Sequence, residues 1–124
     1  MEILVIDGQG GGLGRQLVAA LRKAMPEAEL MAVGTNSAAT EAMRKAGASR
    51  AATGENAVAV ACRRADVIVG PLGIVMADAL LGEITPAMAL AVARSRARRV
   101  LVPTNRCDTL VVGVAAGSMT ALVQ

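Results

Sequence analysis

Short apolar runs alternate with amphipathic stretches along the whole chain. Ile3-Leu4-Val5-Ile6 ends at Asp7 and a glycine cluster and reads as a buried strand. Leu13, Leu17, Val18, Leu21 and Met25 follow helical spacing, and Pro26 stops that helix. Glu29–Val33 predicts a second strand, closed by Gly34. A helix follows from Ser37, with Ala39, Ala42, Met43 and Ala46 on one face and Gly47 as its stop. Arg50–Ala52 is a short third strand, and Glu55–Ala65 a helix presenting Val58, Ala61, Cys62 and Ala65. Val67-Ile68-Val69 is a further strand before the turn Gly70-Pro71-Leu72-Gly73. Thr85-Pro86 opens another helix, a hydroxyl N-cap before proline at the first helical position, with Met88, Ala91, Val92 and Ser95 inward. Val100-Leu101-Val102 and Leu110–Val114 predict the last strands, and Ser118–Gln124 a short terminal helix.

Strands alternating with helices of this length mean βαβ units and a mostly parallel sheet. The strands are continuously apolar, so both sheet faces are covered. The expected fold is α/β: a small Rossmann-like three-layer sandwich, with residues 1–124 as a single domain. A chain of 124 residues buries enough surface to fold without staples. Hydrophobic residues at 54% and charged ones at 19% exclude intrinsic disorder.

In an open parallel sheet, ligands bind outside the carboxyl ends of the strands. Here those ends are Asp7-Gly8-Gln9-Gly10-Gly11-Gly12-Leu13-Gly14, Gly34-Thr35-Asn36-Ser37, Thr53-Gly54-Glu55-Asn56, Gly70-Pro71-Leu72-Gly73 and Pro103-Thr104-Asn105-Arg106-Cys107. Turns call for glycine and small polar residues in any case, yet the helix-to-strand turns Met25-Pro26-Glu27 and Ala97-Arg98-Arg99 lack that character. The candidate binding residues are therefore Gly8 to Gly14, Thr35, Asn36, Gly70, Pro71 and Gly73. Glycines let a backbone approach a ligand, and the helix opening at this loop offers N–H groups to an anion.

The spacing Gly8-x-x-x-Gly12-x-Gly14 resembles the glycine pattern of short-chain dehydrogenases. The pattern G-x-G-x-x-G fails, because its third glycine falls on Leu13. The resemblance stops at the loop: without tyrosine there is no Tyr-x-x-x-Lys pair. The second strand ends without the carboxylate that holds a ribose 2′-hydroxyl. Its Thr35 and Asn36 suit a phosphate, so NADP or a mononucleotide fits before NAD. Asp7 sets a negative charge at the mouth of the loop, either accepting loop amides in an Asx-type turn or serving as a Mg²⁺ contact or general base.

Composition thins the chemistry further. No Phe, Trp, Tyr or His occurs, which removes histidine acid–base and metal chemistry, tyrosine catalysis and aromatic base-stacking platforms. The remaining weak catalytic candidates are Asp7, Glu55 and Cys107, with Arg106 as an anion clamp. Cys107 lacks a histidine to activate it, and Cys62 reads as core. Glu83 reads as an acid before a helix N-terminus, where negative charge is favourable. The net charge of +3 would allow nucleic acid as a partner, but the charges mostly alternate along helices, which argues against that partner. The cluster Arg94, Arg96, Arg98 and Arg99 reads as a solvated face at a helix C-terminus.

Met1-Glu2 leads directly into a strand-like run with no signal-peptide pattern, which points to a cytoplasmic protein with reduced thiols. Thr109–Gln124 carries no charge but is shorter than the ~20 apolar residues of a membrane span. So apolar a stretch suggests association, most simply a homodimer.

The chain as a whole resembles a family of short bacterial proteins whose domain is of unknown function. The phrases that carry the resemblance are Val5-Ile6-Asp7-Gly8-Gln9-Gly10-Gly11-Gly12, Gly34-Thr35-Asn36, Ala52-Thr53-Gly54-Glu55-Asn56, Gly82-Glu83-Ile84-Thr85-Pro86 and the segment with Pro103, Asn105 and Cys107. It implies a Rossmann-like fold and no particular activity. Two readings of function stand: a nucleotide- or dinucleotide-binding domain (NADP-like or mononucleotide) holding a small phosphorylated ligand, and a non-catalytic homo-oligomeric assembly or regulatory module. A thiol-dependent enzyme using Cys107 is a third.

Overall fold

The computed structural model describes residues 1–103 and 109–113. Its elements are β1 (Glu2–Asp7), α1 (Gly12–Ala24), β2 (Glu29–Gly34), α2 (Ser37–Lys45), β3 (Arg50–Thr53), α3 (Glu55–Arg64), β4 (Val67–Pro71), a 3₁₀ turn (Leu72–Val75), α4 (Pro86–Arg94) and β5 (Arg98–Val102). The five strands form one sheet in the order β3-β2-β1-β4-β5, and every pairing is parallel. This α/β arrangement is the expected Rossmann-like sandwich.

Strand alternation divides the core in two. Leu4, Ile6, Val33 and Ile68 face Val58, Cys62, Met88 and Val92 of α3 and α4. Ile3, Val5, Leu30 and Val69 face Leu13, Leu17, Val18 and Met43 on the α1 and α2 side. The central strand β1 is buried from Ile3 to Asp7, whereas β3 and β5 at the edges expose Arg50, Arg98 and Arg99. Charged ends of this kind keep an edge strand from pairing with another chain.

Two helix starts follow the side-chain signals in the sequence. Asn36 Oδ1 accepts the Ala39 N–H at 2.9 Å and caps α2. Thr85 Oγ1 accepts the Met88 N–H at 3.1 Å and caps α4, with Pro86 at its first position. The expected strand Leu110–Val114 is not one over its described part. Leu110 and Val111 have no regular structure, Val112 and Gly113 form a turn, and the side chains of Leu110 and Val112 are exposed. Apolar content marks a strand only where a sheet edge accepts the ladder, and among the described residues β5 pairs with β4 alone. The expected terminal helix Ser118–Gln124 lies outside the described residues.

Candidate functional site at the carboxyl edge

The strand order reverses between β1 and β4: from β1 the chain builds outward through β2 and β3, then returns to build β4 and β5 on the other side. Such a switch point opens a crevice at the carboxyl ends of the two central strands. The glycine loop leaves β1 at this place.

The loop begins with a tight turn in which Gly11 N donates to Gly8 O at 2.9 Å. Gln9 takes φ 51° and Gly11 φ 72° to make it, both in the left-handed region. The buried Asp7 carboxylate accepts the Gly14 N–H through Oδ2 at 2.7 Å. Asp7 thus serves an amide of the first turn of α1, seven residues on.

Three of the glycines are required by neighbouring atoms. A Cβ on Gly8 would lie 2.6 Å from Thr35 Oγ1 and 2.9 Å from Leu80 Cδ1; on Gly14 it would lie 2.7 Å from both Asp7 Cβ and Met43 Sδ. Gly11 combines positive φ with a Cβ position 2.8 Å from Ala39 Cα. Gly10 and Gly12 differ from these. Neither has positive φ, a Cβ on either would meet nothing within 4 Å, and both are exposed. Their N–H groups have no acceptor among the described residues.

The residue that sequence reasoning missed is Glu83. Its Oε1 accepts three hydrogen bonds: from Gln9 N at 2.8 Å, from Thr35 Oγ1 at 2.5 Å and from Asn36 Nδ2 at 2.8 Å. Asn36 Nδ2 also donates to Gln9 O at 2.9 Å. Burial works against ionisation of Glu83, but the bonds from Thr35, Gln9 and Asn36 outweigh it and hold the carboxyl below its ordinary value. Glu83 is therefore more than an acid preceding a helix. It sets a carboxylate, from the connection between β4 and α4, beside the ends of β1 and β2. One signal could have found it: it is an acid in the connection leaving β4, a strand of the switch point.

The segment that delivers Glu83 is itself unusual. Leu80, Leu81 and Gly82 take φ of 57°, 56° and 88° in succession, and Asp78 takes 68°. Left-handed backbone costs an ordinary L-residue roughly 1–2 kcal/mol, so the surroundings must impose it. Asp78 N donates to Ile84 O at 2.7 Å, Gly82 N to Asp78 O at 3.1 Å and Ile84 N to Ala79 O at 3.1 Å. Leu80 packs over Gly8 and is buried.

The structure thus gathers Gly8, Gln9, Gly10, Gly11, Gly12, Gly14, Thr35 and Asn36 around one edge and adds Glu83, whereas the side chain of Leu13, also expected there, is buried in the core. Gly70 and Pro71 are buried at the end of β4, and a Cβ on Gly70 would lie 2.5 Å from Ile6 O. Gly73 packs against Ala79 and Leu80, beneath the segment that carries Glu83. Glu55 is exposed in the first turn of α3, next to the edge strand β3, and no hydrogen bond ties it to the loop among the described residues. Arg106 and Cys107 lie outside the described residues.

A protein-family model matches residues 2–124, and its family is described as Domain of unknown function (DUF3842). The chain belongs to that family. No curated protein and no solved structure matches it. Among the described residues no group of three or more Cys, Asp or Glu comes together to hold a metal. Cys62 is buried in the core, and burial pushes its thiol up to about 11, which leaves it unreactive at neutral pH. No helix among the described residues is long and apolar enough to cross a membrane.

Proposed function

We propose that this domain binds a nucleotide-type ligand at the switch point, with phosphate over Gly10 and Gly12 and a ribose hydroxyl on Glu83. One observation carries the reading. The protein uses Gly8, Gly11 and Gly14 to fold, but nothing in its own packing requires Gly10 or Gly12. Two side-chain-free positions with open amides at a helix start suit the close approach of an anion. Beside them, Glu83 keeps Oε2 unbonded among the described residues. Thr35 and Asn36, which a phosphate such as that of NADP would otherwise draw on, already serve Glu83. An ionised carboxylate accepts hydroxyl protons and repels a phosphate, so the site favours a free ribose diol.

The second reading is a non-catalytic assembly module, in which the two acids merely satisfy loop amides. Exposure of Leu110 and Val112 supports a homodimer under either reading.

The deciding experiment uses the missing aromatics. Nuclease-treated protein should be nearly transparent at long ultraviolet wavelengths, so retained nucleotide appears directly as absorbance and is identified by mass spectrometry after denaturation. Equilibrium dialysis against adenine mononucleotides and dinucleotides follows. Binding that disappears in Gly12→Val, with circular dichroism unchanged, supports the site. No binding by the wild type, or binding indifferent to Gly12→Val, refutes it in favour of the assembly module.

A further inference from the structure

We propose that the groove between α3 and α4 is a second binding site, for a small organic anion with a compact apolar body. It lies at the opposite end of the sheet from the glycine loop, where these helices end before β4 and β5. Its volume is about 420 Å³, within the ~300–1,000 Å³ of small-molecule sites. Cys62, Ala65 and Ala91 give it a largely apolar floor, and Arg63, Arg94 and Arg96 stand at its rim. The concavity follows from the small side chains there, since alanine leaves room that leucine would fill.

Arginines near helix C-termini usually have a simpler role, which is to neutralise the last carbonyls. Here other groups fill that role. Arg99 Nη1 donates to Ser95 O at 2.8 Å and reaches the carbonyls of Val92 and Ala97 as well. Ser95 Oγ donates to Cys62 O at 2.7 Å. The side chains of Arg63, Arg94 and Arg96 make no hydrogen bond or ion pair with any described residue, and all three are exposed. Like charges gathered around one concavity raise its potential and concentrate anions there. The apolar floor then discriminates: a bare inorganic anion gains nothing from it, whereas an apolar body buries surface. Guanidinium forks suit carboxylate, sulfonate and phosphate heads alike.

The test uses 8-anilinonaphthalene-1-sulfonate, an apolar anion whose emission rises on binding, at fixed ionic strength. A chain without aromatic residues contributes no background. One saturable site is expected. Arg94→Gln combined with Arg96→Gln should weaken it about tenfold, the effect of roughly 1.4 kcal/mol. Ala91→Leu, which fills the floor, should weaken it comparably, and Ala59→Leu on the facing helix does the same if Ala91→Leu disturbs the fold by circular dichroism. Absence of a saturable site, or affinity unchanged by the charge and floor variants, overturns the proposal. So does displacement by inorganic sulfate as effective as that by naphthalene-1-sulfonate. Gly12→Val should leave this binding intact, so the outcome is independent of the glycine loop.

Discussion

Thr35 Oγ1 donates to Glu83 Oε1 at 2.5 Å across 48 positions of sequence. This bond, with those from Gln9 and Asn36, fastens the β4–α4 connection over the ends of β1 and β2. The same carboxylate keeps its other oxygen without a hydrogen bond among the described residues, so the residue that closes the fold is also the one the candidate site turns on.

Glu83 should therefore make stability depend on acid pH. Its folded carboxyl titrates below the ordinary value, so ionisation favours the folded state. That contribution is complete above the unfolded carboxylate range, about pH 4.3, and is lost as pH falls through the folded pKa. Hydrogen bonds to a charged acceptor are worth roughly 1.5–3 kcal/mol when buried; with solvent screening at this half-buried site, Glu83→Gln should cost about 1–2 kcal/mol at pH 7. Urea unfolding at pH 7 and near pH 3 checks this: the variant and wild type should differ at the higher pH and converge at the lower. A gap that persists in acid would mean the side chain acts by packing.

The glycines of the loop should separate into two classes. Gly14→Ala drives a methyl to within 2.7 Å of Asp7 Cβ and Met43 Sδ and strains the bond from Gly14 N to Asp7, so a loss of about 1–3 kcal/mol is expected. Gly12→Ala meets open space, and its effect should stay within about 1 kcal/mol of zero, because alanine loses less backbone entropy on folding. Urea midpoints of the two variants provide the comparison. Equal losses would show that Gly12 has a structural duty and would remove the main support for a ligand there.

These two classes mark the boundary of what sequence could reveal. The continuous runs Ile3–Ile6 and Val67–Val69 and the cap Thr85 are local signals, and they placed strands and helices within a few residues. The spacing Gly8-x-x-x-Gly12-x-Gly14 placed the loop, but it cannot tell Gly11, pressed against Ala39, from Gly12, pressed against nothing. Glu83 escaped because its partners are 47, 48 and 74 positions away. Nothing in the letters Leu80-Leu81 announces left-handed backbone either, since that conformation goes with the hydrogen bonds that close the segment and, at Leu80, with burial against Gly8, against the preference of leucine. The expected strand from Leu110 is absent over residues 110–113 for a related reason, because hydropathy is local and strand pairing is not.

At the other end of the sheet, Arg22 joins three elements by geometry as well as charge. Its Nε and Nη2 donate to Gly47 O at 3.1 and 3.0 Å, Nη1 donates to Pro26 O at 3.0 Å and Ala28 O at 2.9 Å, and Nη2 also reaches Ser49 Oγ at 2.9 Å. The end of α1, the approach to β2 and the turn before β3 are thereby held by one guanidinium. Only a planar fork with several fixed N–H directions can serve these acceptors together; an ammonium group presents one compact donor centre. Arg22→Ala should cost about 2 kcal/mol, and Arg22→Lys should recover less than half of it, by urea unfolding at neutral pH. Amide exchange at Ser49, whose N–H donates to Leu30 O at 2.7 Å, should accelerate in both variants, because the turn it anchors loses its clamp. Full recovery by lysine would show that positive charge, and not the fork, is what this junction needs.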